Sequence, residues 1–312
     1  MALVDPGSRY SGRMTGAWAN VDGWIGPAQE ARVSPVDAGF LYGEAVYENL
    51  RTYGHVPFLF ARHLTRLRHS AKFLGIPLDI PDAGITARLR ATQEATGITG
   101  EHSLRVILTA GSQGGAPSLI ILVRPLPPLP VDPEREGVGV LLSDWVRAAP
   151  GGLPADVKTH NLLGARLAVR EAEAAGAHEA VIRGSGGDLT EGATSNLFLV
   201  DDGVILTPPL GDGLLPGITR ALVLEVLREL DIPFDETPLG PGWLTGADEA
   251  FLTSSSREVL PVTWSVAPGE PRRSIGTGRP GPLTLRALAG YRRAVGRLLD
   301  ESVPAPAPGA PP

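Results

Sequence analysis

The sequence predicts an α/β protein of two domains. Three observations carry that expectation. The chain has 312 residues, about twice a typical domain. Stretches with a period of two alternate with stretches of helical period along its whole length. A proline-rich segment, LPPLPVDPE at 126–134, interrupts the alternation and suits an extended inter-domain linker. The expected division is a smaller N-terminal α/β domain over 1–125, a linker over 126–135, a larger C-terminal α/β domain over 136–301, and a disordered Pro/Ala tail over 302–312.

The elements follow in order. Residues 1–16 look loose. From Ala17, WANVDGWIGPAQEARV reads as two short strands around an Asp22-Gly23 turn. Val46, Glu48, Leu50 and Thr52 then alternate with Tyr47, Asn49, Arg51 and Tyr53, a strand with two unlike faces. The face with Tyr47 is polar and aromatic, and suits either a ligand wall or solvent. ARHLTRLRHSAKFLGI is a helix with Leu64, Leu67, Ala71 and Leu74 on one side, Arg66 flanking that stripe, and Gly75 placed to end it. ITARLRATQEATGI is a second helix, and SLRVILTAG and SLIILVRPL form a hairpin around SQGGAP.

Beyond the linker, GVGVLLSDWVRA is a strand and 161–175 a helix stopped by Gly176. HEAVIRGSGGDLTEGATSNLFLVDDGVILTP is a run of strands with glycine-rich turns. GITRALVLEVLRELDI is a helix that opens after Pro216-Gly217. DEAFLTSSSREVLPVTWSV is strand, hydroxyl-rich loop, strand, and TLRALAGYRRAVGRLLDES is the last helix.

Composition removes several functions. A net charge of −6 and a pI near 5.6 argue against nucleic acid or an anionic membrane as partner. The absence of cysteine removes disulfides, thiolate catalysis and Cys-based zinc sites. The histidines at 55, 63, 69, 102, 160 and 178 are scattered, without metal-ligand spacing. No apolar run has transmembrane length, and MALVDPGSRYSGRMTG lacks a signal-type apolar core, so a cytoplasmic protein is expected. GSGG at 184–187 has no following Lys-Ser/Thr and reads as a hairpin turn.

Two lysines, Lys72 and Lys158, stand among 28 basic residues, the rest being arginine. Where only a positive charge is needed, this chain uses arginine. Lysine can lose its proton near neutrality and attack a carbonyl; guanidinium cannot. Lys72 lies on the rim of a helix, whereas Lys158 precedes the mouth of another. An acid, Glu191, follows 33 positions later (191 − 158). Arg66, the helix start at Gly217-Ile218-Thr219 and the serines at 254–256 are suited to phosphate. An imine-forming lysine, an acid for a pyridinium proton and a phosphate cup are the three demands of pyridoxal 5′-phosphate.

In order along roughly 17–266 stand FLYGEAVYENLR, HLTRLRHSA, VKTHNLLGARLA, LTEGATSNLFLV, LPGITR and FLTSSSREVLPV. With these the chain resembles the fold-type IV, or class IV, pyridoxal-phosphate enzymes, among them branched-chain and D-amino acid aminotransferases. The resemblance implies a two-domain α/β homodimer with the cofactor in the inter-domain cleft. It implies that Lys158 holds the cofactor as a Schiff base and moves the substrate proton, and that Glu191 faces the pyridine nitrogen. It assigns Arg66, Ile218, Thr219 and Ser255 to the phosphate. Ser256 is expected to offer its N–H to the substrate carboxylate. Tyr42, Tyr47, Asn49 and Arg51 match the substrate wall, and Arg105 a branched-chain position.

Departures blur the substrate. Thr-His-Asn-Leu-Leu-Gly follows Lys158 where branched-chain enzymes usually have Gly-Gly-Asn-Tyr, and the spacing resembles the D-amino acid branch and the lyase. Yet TAGSQGGAP lacks the Arg and His of the familiar D-amino acid enzymes, and Asn49 replaces an expected glycine. The implied activity is ping-pong transfer of an amino group between an amino acid, branched-chain, aliphatic or D, and a 2-oxo acid. The alternatives are a lyase releasing pyruvate from aminodeoxychorismate and a non-catalytic vitamin-B6 binding protein. Binding alone does not need both Lys158 and Glu191.

Overall fold

A computed structural model describes residues 16–146 and 152–302. The expected loose start, except Gly16, and the expected tail, except Ser302, lie outside the described residues. Two sheets organise the chain. The first uses β1 (Trp18–Val21), β2 (Trp24–Pro27), β3 (Ala45–Tyr53), β4 (Val56–Pro57), β5 (His102–Thr109) and β6 (Ser118–Pro125), in the order β2-β1-β6-β5-β3-β4. Its pairings are all antiparallel; β1-β2, β3-β4 and β5-β6 are hairpins, whereas β1-β6 and β3-β5 bring distant segments together.

One face of this sheet is covered by α2 (Phe60–Phe73) and α3 (Asp82–Thr96). Val46 and Leu50 of β3 and Leu104, Val106 and Leu108 of β5 meet Leu64, Leu67 and Ala71 of α2 and Ile85 and Leu89 of α3 in one core. Each fully buried leucine contributes about 1.5–3 kcal/mol. Because strand side chains alternate, Tyr47, Asn49, Arg51 and Tyr53 are left on the other face, beside Arg105 of β5. A short helix unforeseen in the sequence, α1 (Ala38–Tyr42), precedes β3. Asp37 caps it, accepting from the N–H groups of Gly39 and Phe40 and from the Thr109 hydroxyl.

Residues 126–137 carry no helix or strand. The second sheet comprises β7 (Val138–Val146), β8 (Glu179–Arg183), β9 (Leu189–Gly192), β10 (Ser195–Asp201), β11 (Val204–Thr207), β12 (Phe234–Glu236), β13 (Glu249–Ser254), β14 (Glu258–Val266) and β15 (Arg273–Ser274). β9 pairs with both β8 and β10, so β10-β13-β14-β7-β8-β9 close into a ring. Val140, Val181, Leu197, Leu199, Leu252 and Leu260 belong to the core cluster these strands supply. α4 (Leu163–Ala174), α5 (Ile218–Glu229), α6 (Gly242–Gly246) and α7 (Pro282–Ser302) complete the order. Among the described residues no helix is long and apolar enough to cross a membrane.

The sheets are joined by charge as well as by packing. Buried Glu258, at the start of β14, pairs with Arg51 of β3 at 3.1 Å and with Arg292 of α7 at 3.0 Å. It also accepts the Tyr53 hydroxyl at 2.8 Å.

Candidate active site

Lys158 is placed by its backbone. The Lys158 carbonyl accepts from Tyr47 N–H at 3.1 Å, and His160 N–H donates to the Ala45 carbonyl at 2.8 Å. Thr159 thereby bridges to Val46 on the edge of β3. Lys158 N–H donates to Ser70 Oγ on α2 at 3.0 Å. An extended segment held in this register turns Lys158 and His160 to the Tyr47 face. Lys158 Nζ lies 4.6 Å from the Tyr47 ring centre, the Arg105 guanidinium 4.9 Å, and the His160 ring 5.4 Å edge-on. Arg105 Nε donates to Asn49 Oδ1 at 2.8 Å, its neighbour across β3 and β5. Neither Lys158 nor Arg105 has a carboxylate at ion-pair distance among the described residues. Burial lowers the pKa of His160, and the Arg105 charge adds to that shift, so the ring is neutral beside the guanidinium.

Glu191 sits on β9 with 5% of its surface exposed. Its Oε2 accepts from Asn196 Nδ2 at 3.1 Å and from Leu215 N–H at 3.0 Å. Asn196 also donates to the Leu215 carbonyl at 2.9 Å, which ties the acid to the 215–217 segment before α5. A side chain on Gly217 would be driven into Asn196 Oδ1, so this approach requires glycine. Gly217 caps α5 without a side-chain hydrogen bond, leaving first-turn N–H groups for a ligand. Ile218 and Thr219 occupy that first turn and are buried.

Arg66 leaves the same face of α2 as Ser70, one turn earlier. Its Nε and Nη2 grip the two oxygens of Glu48 at 2.8 and 2.7 Å, and Nη1 donates to the Pro216 carbonyl at 2.7 Å. The guanidinium therefore reaches the threshold of α5 and retains further N–H donors. Glu48 is 1% exposed, and burial alone would raise its pKa. Hydrogen bonds from Arg66 and His63, with the Arg66 charge, outweigh that and hold it at about 2. Burial lowers the pKa of His63 although Glu48 pulls the other way.

The other expected residues are less central. Ser255 and Ser256 form the turn between β13 and β14. Arg51 is engaged by Glu258 and lies 4.1 Å from the Tyr53 ring centre, so its fork is directed to the inter-sheet tie. Tyr42 lies on α1 and is 70% exposed. Glu48 and Asn196 have no role assigned by sequence reasoning. A glutamate on the helix-covered face of β3 is the available signal for the first, and an Asn five positions after Glu191 for the second.

These groups fit pyridoxal 5′-phosphate. Lys158 is an amine without a carboxylate at ion-pair distance, and Glu191 is a buried acid with one oxygen fixed. The uncapped α5 and Arg66 offer convergent N–H donors for a dianion.

Comparison with known proteins agrees. A family model described as amino-transferase class IV matches residues 45–264. The D-alanine aminotransferase of Bacillus licheniformis is 31% identical over 274 residues, covering 85% of this chain and 93% of that protein. The branched-chain-amino-acid aminotransferase of Escherichia coli K12 is 30% identical over 272 residues, covering 83% and 86%. The crystal structure of the branched-chain aminotransferase from Thermoproteus uzoniensis with norvaline superposes with a TM-score of 0.81 at 29% identity, covering 92% of this chain and 97% of that one. The chain belongs to the class IV aminotransferases, and is a pyridoxal 5′-phosphate-dependent transaminase that acts on an amino acid and a 2-oxo acid.

Proposed function

We propose that Lys158, Glu191 and Arg66 are the anchors of this activity and that its donors are medium-sized, uncharged amino acids. The observation that carries the proposal is a lysine without an acid partner, held over Tyr47 by the same helix that presents Arg66. Pyridoxal 5′-phosphate, when bound, supplies an aldehyde carbon and an electron-accepting ring that make a substrate Cα proton removable. Lys158 Nζ takes up that proton and hands it back, a task for which a neutral amine is needed. Among the described residues no carboxylate grips Nζ and holds it away from that work. Glu191 keeps a proton on the ring nitrogen. Arg66, Ser255 and the N–H groups of Ile218 and Thr219 hold the phosphate.

On the substrate side, Arg105 and the Ser256 N–H take the carboxylate, because an unpaired buried charge is prohibitive. Tyr47, Asn49 and Tyr42 wall the side chain, and the similar proteins are named a D-alanine aminotransferase and a branched-chain-amino-acid aminotransferase. Arg51 serves the site through Glu258. Phe40 and Tyr42, 72% and 70% exposed on α1 with Leu41 beside them, form an apolar face that a second copy covers in a homodimer. The cofactor cleft falls between a domain ending near 125 and one beginning near 136. The lack of cysteine accords with a cytoplasmic setting.

Half-reactions of the purified yellow protein test this. Aliphatic L- or D-amino acids should convert the visible absorption in stoichiometric amount, and a 2-oxo acid should restore it. A protein whose spectrum responds to (R)-amines but to no amino acid would overturn the substrate assignment.

A further inference from the structure

The loop that carries Ser255 and Ser256 ends in Arg257, whose side chain leaves the loop on a different errand. Its Nε donates to Ser254 Oγ at 3.0 Å. Its Nη2 donates to Thr194 Oγ1 at 2.7 Å and to the Thr194 carbonyl at 3.2 Å. Its Nη1 pairs with Glu179 Oε2 at 3.0 Å and lies 3.1 Å from His178 Nε2. Glu179 is fully buried at the head of β8, and the same Oε2 accepts the Thr194 hydroxyl at 2.7 Å. Thr194 stands in the turn between β9, which bears Glu191, and β10, which bears Asn196. One planar fork thus binds the serine loop to the turn that sets Glu191.

We propose that Arg257 is a positioning residue for the cofactor: it fixes the serine loop in register with the Glu191 hairpin, and so sets the distance between the phosphate donors and the acid. This rests on the reading that Ser255 faces the phosphate and Glu191 the ring nitrogen. The rival account is that Arg257 only neutralises the buried carboxylate of Glu179. The two accounts differ in what they require of the side chain. Neutralisation needs a positive charge, which lysine also provides. Registration needs several donors in one plane, aimed at Ser254, Thr194 and Glu179 together, which only the guanidinium supplies.

The test uses the full-length apoenzyme and two probes, pyridoxal 5′-phosphate and pyridoxal, titrated by fluorescence. The wild-type protein should bind the phosphorylated probe far more tightly. Arg257→Lys should weaken it about tenfold and leave pyridoxal unchanged, because one phosphate contact is displaced while Lys158 is untouched. Arg257→Met with Glu179→Gln removes the clamp without stranding a buried charge, and should lose the same share of the preference. A general loosening of the fold would weaken both probes equally in both variants, and that result would overturn the proposal. So would a wild-type preference retained in Arg257→Lys and in the double variant. A wild-type protein that does not distinguish the probes would instead refute the phosphate cup itself, and the positioning role with it.

Discussion

The two sides of the site are built differently. Around Glu191, side chains and backbone close on one another: Asn196 and Leu215 hold the acid, and Arg66 is gripped by Glu48 and by the Pro216 carbonyl. Around Tyr47, Lys158 and Arg105 lie over one ring with no acid in reach among the described residues. The first side is fixed before any ligand arrives. The second leaves charge to be completed by what binds. A cofactor that stays through every turnover suits the first arrangement, and substrates that alternate suit the second.

Lys158 belongs to both sides, so its loss should be the most severe. Lys158→Ala should reduce transamination by at least about a thousandfold while the phosphate cup still retains some cofactor. Borohydride treatment of the wild-type protein, followed by peptide mapping, should place the cofactor on Lys158. A label on exposed Lys72 would overturn the assignment.

The fixed side should then split into two failures. Glu191→Gln should keep the cofactor but lower kcat about a hundredfold, since a neutral amide does not hold the ring proton. Gly217→Ala pushes a methyl group into Asn196 Oδ1 and disturbs the α5 entrance. It should therefore act first on cofactor affinity, by about tenfold or more. Equal loss of cofactor in both variants, measured after desalting, would dissolve the distinction.

Both sides are legible in the sequence only in part. Lys158 stands out because arginine fills nearly every other basic position, and the period-two pattern by itself separates the two faces of β3. Glu48 is visible only as a charge on the wrong face, and its meaning depends on Arg66, 18 positions away on another element. Arg51 is expected at the substrate, and its pairing with Glu258, a partner 207 positions distant, has no signal in the sequence. The closure of β9 onto β10 leaves no signal, because a short hairpin reads the same whether or not it seals a ring. Periodicity reports which face is buried; it does not report what a buried charge meets there.

The open side should respond through KM. Arg105→Ala should raise KM for amino acids about tenfold with a smaller change in kcat, because it removes a cation that awaits a carboxylate. The KM of an amine without a carboxylate should hardly move. Arg51→Met should do the reverse, leaving KM within about twofold and lowering stability by about 2 kcal/mol, since Glu258 keeps Arg292 but loses one buried partner. If Arg51→Met behaves like Arg105→Ala, the carboxylate is shared between them.

The smallest effect expected is on the pH dependence of stability, and it too divides the two sides. His160 on the open side and His63 on the fixed side have pKa values lowered below the ordinary 6.5, mainly by burial. A base whose pKa is depressed by folding adds stability that is complete above about 6.5 and is lost as pH falls toward the folded value. Glu48, held at about 2 against an ordinary 4.5, adds stability that is complete above 4.5 and is lost between 4.5 and 2. The apoenzyme melting temperature should therefore decline in two stages on acidification, the first below about 6.5 and the second below about 4.5. His160→Gln should shrink the first stage and leave the second untouched. Glu48→Gln should abolish the second, and should also lower the melting temperature at neutral pH, because Arg66 then lacks its counter-charge. A single decline confined to pH below 4.5, unchanged by His160→Gln, would show that folding lowers the pKa of neither histidine.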